Sequence, residues 1–242
     1  MDHLVYFVLL ALVAEILGTI GGFGSSLFFI PIATMFLDIQ SVLGITALFH
    51  LSSNITKIAV FRKGVDKKLI INIGVPAVLF VIIGAYLSKF LDTEIIENAL
   101  AVFLIATSLV FLTFKNLALK PTLFNSVTGG VFSGLIAGMI GTGGAIRGIT
   151  LAAFSLQTEV FIATSAVIDL GIDASRSVVY AFNGFIHKDD LYLIPILLVV
   201  SILGTLIGQQ ILKKISTEQF KSIVLLLILF TGIMSLAKVF FN

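Results

Sequence analysis

The sequence predicts an all-α integral membrane protein made of two inverted repeats, each a broken, Gly-rich helical hairpin followed by three transmembrane helices. An apolar composition, long apolar runs and one duplicated Gly-rich pattern predict it. Of the 242 residues, 58% are hydrophobic and 12% are charged, against about 25% charged in an average soluble domain. So few charges cannot cover a soluble domain of this length. This excludes a soluble globular protein, a disordered chain and a nucleic-acid-binding protein.

The apolar runs are long and contain glycine, which indicates helices rather than the short alternating strands of a β-barrel. About 20 helical residues cross a bilayer core, and six runs are long enough: 42–61, 69–90, 95–114, 160–182, 191–212 and 220–240. Four shorter runs are found at 4–17, 24–37, 124–137 and 145–157. They flank two Gly-rich stretches, so we expect 18–26 and 138–146 to be non-helical breaks that face each other near the membrane midplane.

The second half of the chain repeats the first, which is typical of an internally duplicated protein. Three pairs of glycines match: Gly18 with Gly138, Gly21 with Gly141, and Gly24 with Gly144. A polar triplet matches as well: His50, Asn54 and Lys57 with Asp169, Asp173 and Arg176. The chain is therefore predicted to be one domain, 1–242, with repeats at 1–120 and 121–242. Each half has two short segments and three long ones, so the second half enters the membrane from the opposite side.

Loop cations predict the orientation. Three lie on the side of the N-terminus, Lys89, Lys188 and Lys238. Nine lie on the other side: Arg62, Lys63, Lys67, Lys68, Lys115, Lys120, Lys213, Lys214 and Lys221. The positive-inside rule makes the side with nine cytoplasmic. We therefore expect a protein of a bacterial inner (plasma) membrane with both termini outside.

The two breaks are candidate anion sites. Glycine allows turns that expose backbone N–H groups, and the following helix points the positive end of its dipole at the break. The alternative is that these glycines only allow close helix packing. The candidate binding residues are Gly21, Gly22, Phe23, Gly24 and Ser25 in the first break, Gly141, Thr142, Gly143, Gly144 and Ala145 in the second, and Asn54 and Arg147.

A second set of candidates forms a polar pathway: Glu15, His50, Lys57, Asp169, Asp173 and Arg176. The two matched triplets are spaced i, i+4, i+7, so each forms one helical stripe, and inversion should bring both stripes to one central cavity. Asp173 and Arg176 are spaced for a direct ion pair. One alternative is that these residues form ion pairs that only hold helices together, with Arg147 bound to Glu15 or an Asp. Another is that the Lys57 and Arg176 side chains extend to the membrane surface.

The six ionic groups predict a nearly neutral cluster, with three acids and three bases. An anion entering such a cluster adds a negative charge, which would favour simultaneous uptake of a proton. Burial disfavours the charged form of a carboxylate, so the proton carrier should be Asp169 or Asp173. If Arg176 holds Asp173 ionised, Asp169 is the better candidate.

The motifs resemble those of the sulfite exporter TauE/SafE family, also called the four-toluene-sulfonate uptake permease family. The first Gly-rich copy reads GTIGGFGSSLFFIP (18–31) and the second GMIGTGGAIRGITL (138–151). Each copy is followed by two further segments in the same order. These are GITALFH (44–50) and FRKGV (61–65) after the first copy, and ATSAVID (163–169) and FNGFI (182–186) after the second. The resemblance covers nearly the whole chain. It implies transport of a sulfur-containing anion such as sulfite, thiosulfate or a sulfonate.

A secondary transporter for a small anion is the leading functional hypothesis, driven either by the gradient of a proton or another cation or by the anion's own gradient. The chain has no phosphate-binding loop motif for ATP, and it has no cysteine. No cofactor or metal is expected, and the oligomeric state is left open. Two alternatives remain, an anion channel and an intramembrane enzyme. The enzyme lacks support because Ser25 and Ser26 have no obvious basic partner in the same half.

Overall fold

The protein is all-helical. The computed structural model describes residues 2–61, 64–90, 93–114 and 119–241, without the side chains of 2, 3, 93–97, 99, 100, 235 and 238–241. These ranges contain ten helices: α1 (Asp2–Gly21), α2 (Ser26–Ala33), α3 (Ile39–Val60), α4 (Lys67–Leu87), α5 (Thr93–Thr113), α6 (Leu123–Ile140), α7 (Gly144–Ala153), α8 (Thr158–Phe182), α9 (Leu193–Leu212) and α10 (Thr217–Phe241). Arg62, Lys63, Lys115 and the side chain of Lys238, all counted among the loop cations, lie outside this description.

The six long apolar runs are confirmed as helices α3, α4, α5, α8, α9 and α10. Five helices have windows long and apolar enough to cross a membrane, at Leu4–Gly21, Lys67–Leu87, Leu123–Ile140, Leu193–Leu212 and Thr217–Met234. Helices α3 and α8 are also long enough, with 22 and 25 residues. They are not among the five apolar windows, and they are the helices that carry the polar triplets. The chain is therefore an integral membrane protein whose two most polar helices are among its longest.

The predicted breaks are shorter than expected. Helix α1 continues through Gly21 and α6 through Ile140, so the runs predicted at 4–17 and 124–137 were too short and both helices are candidate spans. The non-helical residues are 22–25 and 141–143. Gly22 and Gly141 follow the helix ends with φ values of 70° and 78°, a conformation that glycine adopts without steric cost. The helices end at these glycines rather than where the Gly-rich stretches begin.

Helices of the two halves pack pairwise. Helix α3 packs on α8, and α5 packs on α10. Helix α1 packs on α9, and in the same way α6 packs on α4. Both breaks lie inside this bundle, since Phe23 in the first break and Gly141 and Gly143 in the second are buried. The bundle therefore holds irregular backbone where protein surrounds it, as a membrane requires.

Three glycines of α6 allow its backbone to touch α4. A Cβ added to Gly130, Gly134 or Gly138 would lie well inside 3.0 Å of a backbone oxygen of Ile73, Ala77 or Val81, respectively. Gly138 was predicted as part of the second break. It is instead a packing glycine, so the close-packing alternative is correct at that position.

Replacing Gly134 by alanine should destabilise the protein. The added methyl group would collide with the carbonyl oxygen of Ala77, which belongs to a rigid helix backbone. Overpacking of this kind costs about 1–3 kcal/mol, more than the ~1 kcal/mol of helix propensity that alanine adds. The measurement is the midpoint of thermal unfolding in detergent. The control is Gly74→Ala, whose new methyl would have Ile168 Cγ1 at 3.4 Å, and equal midpoints for the two variants would contradict the prediction.

Candidate functional site

The two polar stripes meet where α3 packs on α8. Asn54 Nδ2 donates to Asp173 Oδ2 at 2.7 Å, and His50 Nδ1 lies 3.9 Å from the same oxygen. The side chains contact each other directly, so the centre of the bundle contains one continuous polar cluster. Both triplets contribute to it, and they meet through direct side-chain contacts.

Three ion pairs neutralise this cluster. Each acid has its own base: Glu15 Oε1 with Lys57 Nζ at 2.9 Å, Asp173 Oδ1 with Arg176 Nη2 at 2.7 Å, and Asp169 Oδ2 with Arg147 Nη2. The expected pair at i, i+3 is thus confirmed, and so is a cation partner for Glu15. The side chains of Lys57 and Arg176 are only 3% and 2% exposed. The alternative that these two reach for the membrane surface is therefore wrong.

Arg147 projects from α7, the helix that follows the second break. Its Nε donates to Ser165 Oγ at 3.0 Å, and its Nη2 donates to the Phe23 carbonyl at 3.1 Å as well as to Asp169. Its remaining nitrogen, Nη1, has no hydrogen-bond partner within the described part of the chain, although the residue is 0% exposed. A buried donor without a partner is costly, and more so when it is charged. Arg147 therefore presents an unused charged donor at the contact between the two breaks.

The break residues differ in what they face. A Cβ on Gly24 would lie 3.8 Å from Asp169 Oδ2 and 3.9 Å from His50 Cε1, so Gly24 borders the polar cluster. The other glycines border protein groups: Gly21 the Phe23 ring, Gly22 the Phe161 and Ile162 side chains, Gly143 the Ser133 carbonyl, and Gly144 the Phe23 carbonyl. Gly141 accepts a hydrogen bond from Arg176 Nη1 at 2.7 Å. Thr142 Oγ1 is buried and, like Arg147 Nη1, has no partner among the described residues.

Glu15 has a shell of hydroxyl groups that the sequence did not reveal. Four hydroxyls donate to its carboxylate: Thr19 at 3.2 Å, Ser25 at 2.6 Å, Ser53 at 2.5 Å and Thr205 at 3.2 Å. Only Thr19 stands at a local spacing, one helical turn away, that a sequence could signal. These donors and Lys57 together surround the Glu15 carboxylate.

Ser25 has a basic partner in its own half, contrary to expectation. Its Oγ lies 3.0 Å from His50 Nε2 and donates to Glu15 Oε2 at 2.6 Å. Because the hydroxyl has one proton and gives it to Glu15, His50 Nε2 must be the donor to Ser25. A serine whose oxygen accepts from the imidazole is not activated by it as a nucleophile.

Two cavities lie at the end of the molecule that the charge pattern assigns to the cytoplasm. One has a volume of 670 Å³ and is lined by Phe61, Gln157 and Lys213 among others. The other has 840 Å³ and is lined by Phe111, Lys214 and Lys221 among others. None of the predicted site residues lines either cavity. The polar cluster therefore lines neither cavity, although Val60 and Phe61, one turn after Lys57, line the cavity of 670 Å³.

A histidine at the opposite end stands near two carboxylates. His187 Nδ1 lies 3.7 Å from Asp38 Oδ2, 3.9 Å from Asp190 Oδ2 and 2.8 Å from Ser41 Oγ. Burial acts to raise the pKa of Asp38, but hydrogen bonds from Ser41 and Gln40 and the charge of His187 hold it below its ordinary value. This group could hold a metal ion by its atom types. All three residues are partly exposed. The cluster could not be predicted from the sequence, because it joins two loops that are distant in the chain.

Comparison with known proteins adds one finding. The family model for sulfite exporter TauE/SafE proteins matches residues 7–235 of the chain. A search of curated proteins and a search of solved structures each gave no match. The matched region contains both breaks and every residue of the polar cluster.

Proposed function

The chain belongs to the sulfite exporter TauE/SafE family, which is a family of membrane transporters and not of enzymes, and from this we propose that it is a secondary transporter for a small anion. The family name points to a sulfur-containing anion such as sulfite, thiosulfate or a sulfonate. Transport would proceed by alternating access around the two breaks.

One observation carries the proposal. Arg147 Nη1 is a buried, charged donor with no partner in the described residues. An anion suits such a donor, because it can accept the unused hydrogen bond and compete with Asp169 for the positive charge. Thr142 Oγ1, the other unpartnered polar atom of this break, adds a second donor for an oxyanion.

The anion would lie between the two breaks. Helices α2 and α7 both begin there, at Ser26 and Gly144, and their first N–H groups favour negative charge. We propose these binding residues: Gly21, Gly22, Phe23, Gly24, Ser25, Asn54, Gly141, Thr142, Gly143, Gly144, Ala145 and Arg147. Those that border protein groups would contribute through their backbone.

Two inverted repeats, 1–120 and 121–242, are the architecture we propose for alternating access. The helix packing supports this architecture. Helix α1 of the first repeat packs on α9 of the second, and the equivalent helix of the second repeat, α6, packs on α4 of the first. In this arrangement both termini are outside a bacterial inner membrane and the lysine-rich loops are cytoplasmic. The two cavities then open on the cytoplasmic side.

Asp169 is the residue we propose for proton coupling. Its side chain is 12% exposed, whereas those of Asp173 and Glu15 are 3% and 0% exposed. Within the described residues its hydrogen-bond partner is Arg147, whereas Asp173 is held by Arg176 and Asn54. An anion that takes over Arg147 leaves Asp169 unpaired. A buried, unpaired carboxylate is costly, so it would take up a proton.

Counterflow in proteoliposomes tests the transport function. Liposomes loaded with unlabelled sulfite or thiosulfate should accumulate the labelled anion transiently, and the initial rate should saturate with concentration. A carrier gives both results because one site is exposed alternately to each side. Linear flux without counterflow would instead favour the anion channel. The absence of flux for every sulfur oxyanion and sulfonate tried would refute the proposed substrate class.

A further inference from the structure

A row of hydrogen-bonded side chains leads away from the break along α3. His50 Nε2 donates to Ser25 Oγ at 3.0 Å, and Ser25 Oγ donates to Glu15 Oε2 at 2.6 Å. The other carboxylate oxygen of Glu15 lies 2.9 Å from Lys57 Nζ. Ser53 Oγ bridges the same two groups, at 2.5 Å from Glu15 and 2.7 Å from Lys57. The row is continuous from His50 to Lys57.

One end of this row lies near the proposed anion site, and the other end lies near a cavity. At one end, His50 and Asp169 both face Gly24. At the other end, Lys57 is followed one helical turn later by Val60 and Phe61, which line the cavity of 670 Å³. All five side chains are buried: Glu15, Ser25, His50, Ser53 and Lys57. Bulk water does not reach these side chains, so a proton that crosses this part of the bundle must pass along the side chains themselves.

We propose that His50, Ser25, Glu15, Ser53 and Lys57 form the proton pathway between the anion site and the cytoplasmic cavity. The proposal rests on the proton-coupled transport proposed above and names the route that the proton takes. It also gives His50 a role that the ion pairs leave unassigned.

The charges around His50 set its resting state. The ring proton of His50 is on Nε2, which donates a hydrogen bond to Ser25 Oγ. Arg176 Nη2 lies 3.4 Å from the other ring nitrogen, Nδ1, and is a donor to it. His50 thus rests neutral, with Nδ1 as the acceptor. Six charged groups surround it: Arg176, Asp173 and Asp169 from α8, Arg147 from α7, Lys57 from its own helix, and Glu15 from α1 through Ser25. Arg176 must move away from Nδ1 before a proton can bind there.

The transfer balances in protons and charge. A proton binds His50 Nδ1, the ring gives its Nε2 proton to Ser25, and Ser25 gives its own to Glu15. Lys57 releases a proton towards the cavity and takes the proton from Glu15, either directly or through Ser53. His50 is then neutral with its proton on Nδ1, Glu15 is anionic and Lys57 is cationic. Rotation of the imidazole ring and of the Ser25 hydroxyl restores the starting hydrogen bonds. One proton has moved from the anion site to the cavity.

Two hydroxyls offer a matched control. Thr19 and Thr205 also donate to Glu15, each at 3.2 Å, but neither lies between His50 and Lys57. Thr19→Val removes one donor from the same carboxylate and leaves the row intact. A purely structural role of the hydroxyl shell would make Thr19 and Ser25 equivalent.

The test measures protons moved per anion in proteoliposomes that contain a pH-sensitive dye, with counterflow of thiosulfate recorded in parallel. His50→Gln should reduce the proton-to-anion ratio to background, because the glutamine amide can form hydrogen bonds but cannot take up one proton and release another. Ser25→Ala should do the same, Ser25→Thr should restore the ratio, and Thr19→Val should leave it at the wild-type value. Since the readout is a ratio, a variant that folds less well remains informative.

Several outcomes would overturn the pathway. A wild-type ratio in both His50→Gln and Ser25→Ala would exclude it, and so would an equal loss in Thr19→Val. Counterflow without any proton movement in the wild-type protein would refute the pathway and leave the transport function standing. Absence of counterflow in the wild-type protein would instead refute the transport function, so the two failures are distinguishable.

Discussion

Replacing Arg147 by alanine should abolish anion transport. The variant loses the guanidinium whose Nη1 has no hydrogen-bond partner in the described part of the chain. A hydrogen bond to a charged group is worth about 1.5–3 kcal/mol, which alone corresponds to a loss of roughly 10- to 150-fold in affinity. The lost charge adds to this, because nothing in α7 replaces it. The measurement is the initial rate of counterflow at substrate concentrations below saturation.

Stability must be separated from binding in this experiment. Removing one member of a buried ion pair costs about 3–5 kcal/mol when the partner stays charged, although Asp169 can limit that cost by becoming protonated. The double variant Arg147→Gln with Asp169→Asn removes both charges and keeps a polar side chain at each position. It should fold at least as well as Arg147→Ala and still fail to transport. Lys214→Ala, which removes a cation far from the cluster, should transport normally. Normal counterflow by Arg147→Ala would show that Arg147 only holds helices together.

Asp169→Asn should remove the pH dependence of transport while anion binding survives. Asparagine can still accept a hydrogen bond from Arg147 Nη2, but it cannot take up a proton when the anion binds. In the wild-type protein one coupled proton per anion gives about a tenfold accumulation per pH unit, or about 1.4 kcal/mol. The accumulation is towards the more alkaline side, because the proton moves down its own gradient. The variant should lose this accumulation completely.

The experiment compares counterflow and pH-driven uptake side by side in one preparation. Asp173→Asn is the matched control, since Asp173 is already held by Arg176 and Asn54, and it should keep pH-driven uptake if it folds. Loss of counterflow together with pH-driven uptake in Asp169→Asn would count against Asp169 as the coupling group. Normal pH-driven uptake in that variant would count against it equally.

The membrane character, the helices and the position of the two breaks followed from the sequence. These features depend on local properties: an apolar run of about 20 residues needs no partner to be recognised. The predicted breaks were longer than the observed ones, because the prediction took every glycine in the Gly-rich stretches as a helix breaker. Gly21 stays in α1, and Gly138 stays in α6, where its missing Cβ lets the backbone touch α4. Whether a glycine ends a helix or packs it depends on the neighbouring helix.

The composition of the cluster was also predictable, but its pairing was not. Three acids and three bases at membrane depth predicted a neutral cluster, and the i, i+3 spacing fixed one pair, Asp173 with Arg176. The other two pairs join residues 42 and 22 positions apart in the chain, Lys57 with Glu15 and Arg147 with Asp169. No local spacing favours these pairs over their alternatives, because each depends on how two helices are packed.

The sequence by itself determined which chemical groups enter the membrane, because the cost of burying a charge makes each one conspicuous in an apolar chain. Only the tertiary structure decided which of them are left unsatisfied. Among the described residues, Arg147 has one nitrogen without a hydrogen-bond partner, and Ser25 lies between His50 and Glu15. Both follow from the meeting of the two breaks and helix α3 in the bundle. Hydrogen bonds require atoms within about 3 Å, and that proximity is set by the packing of distant segments rather than by their order in the chain.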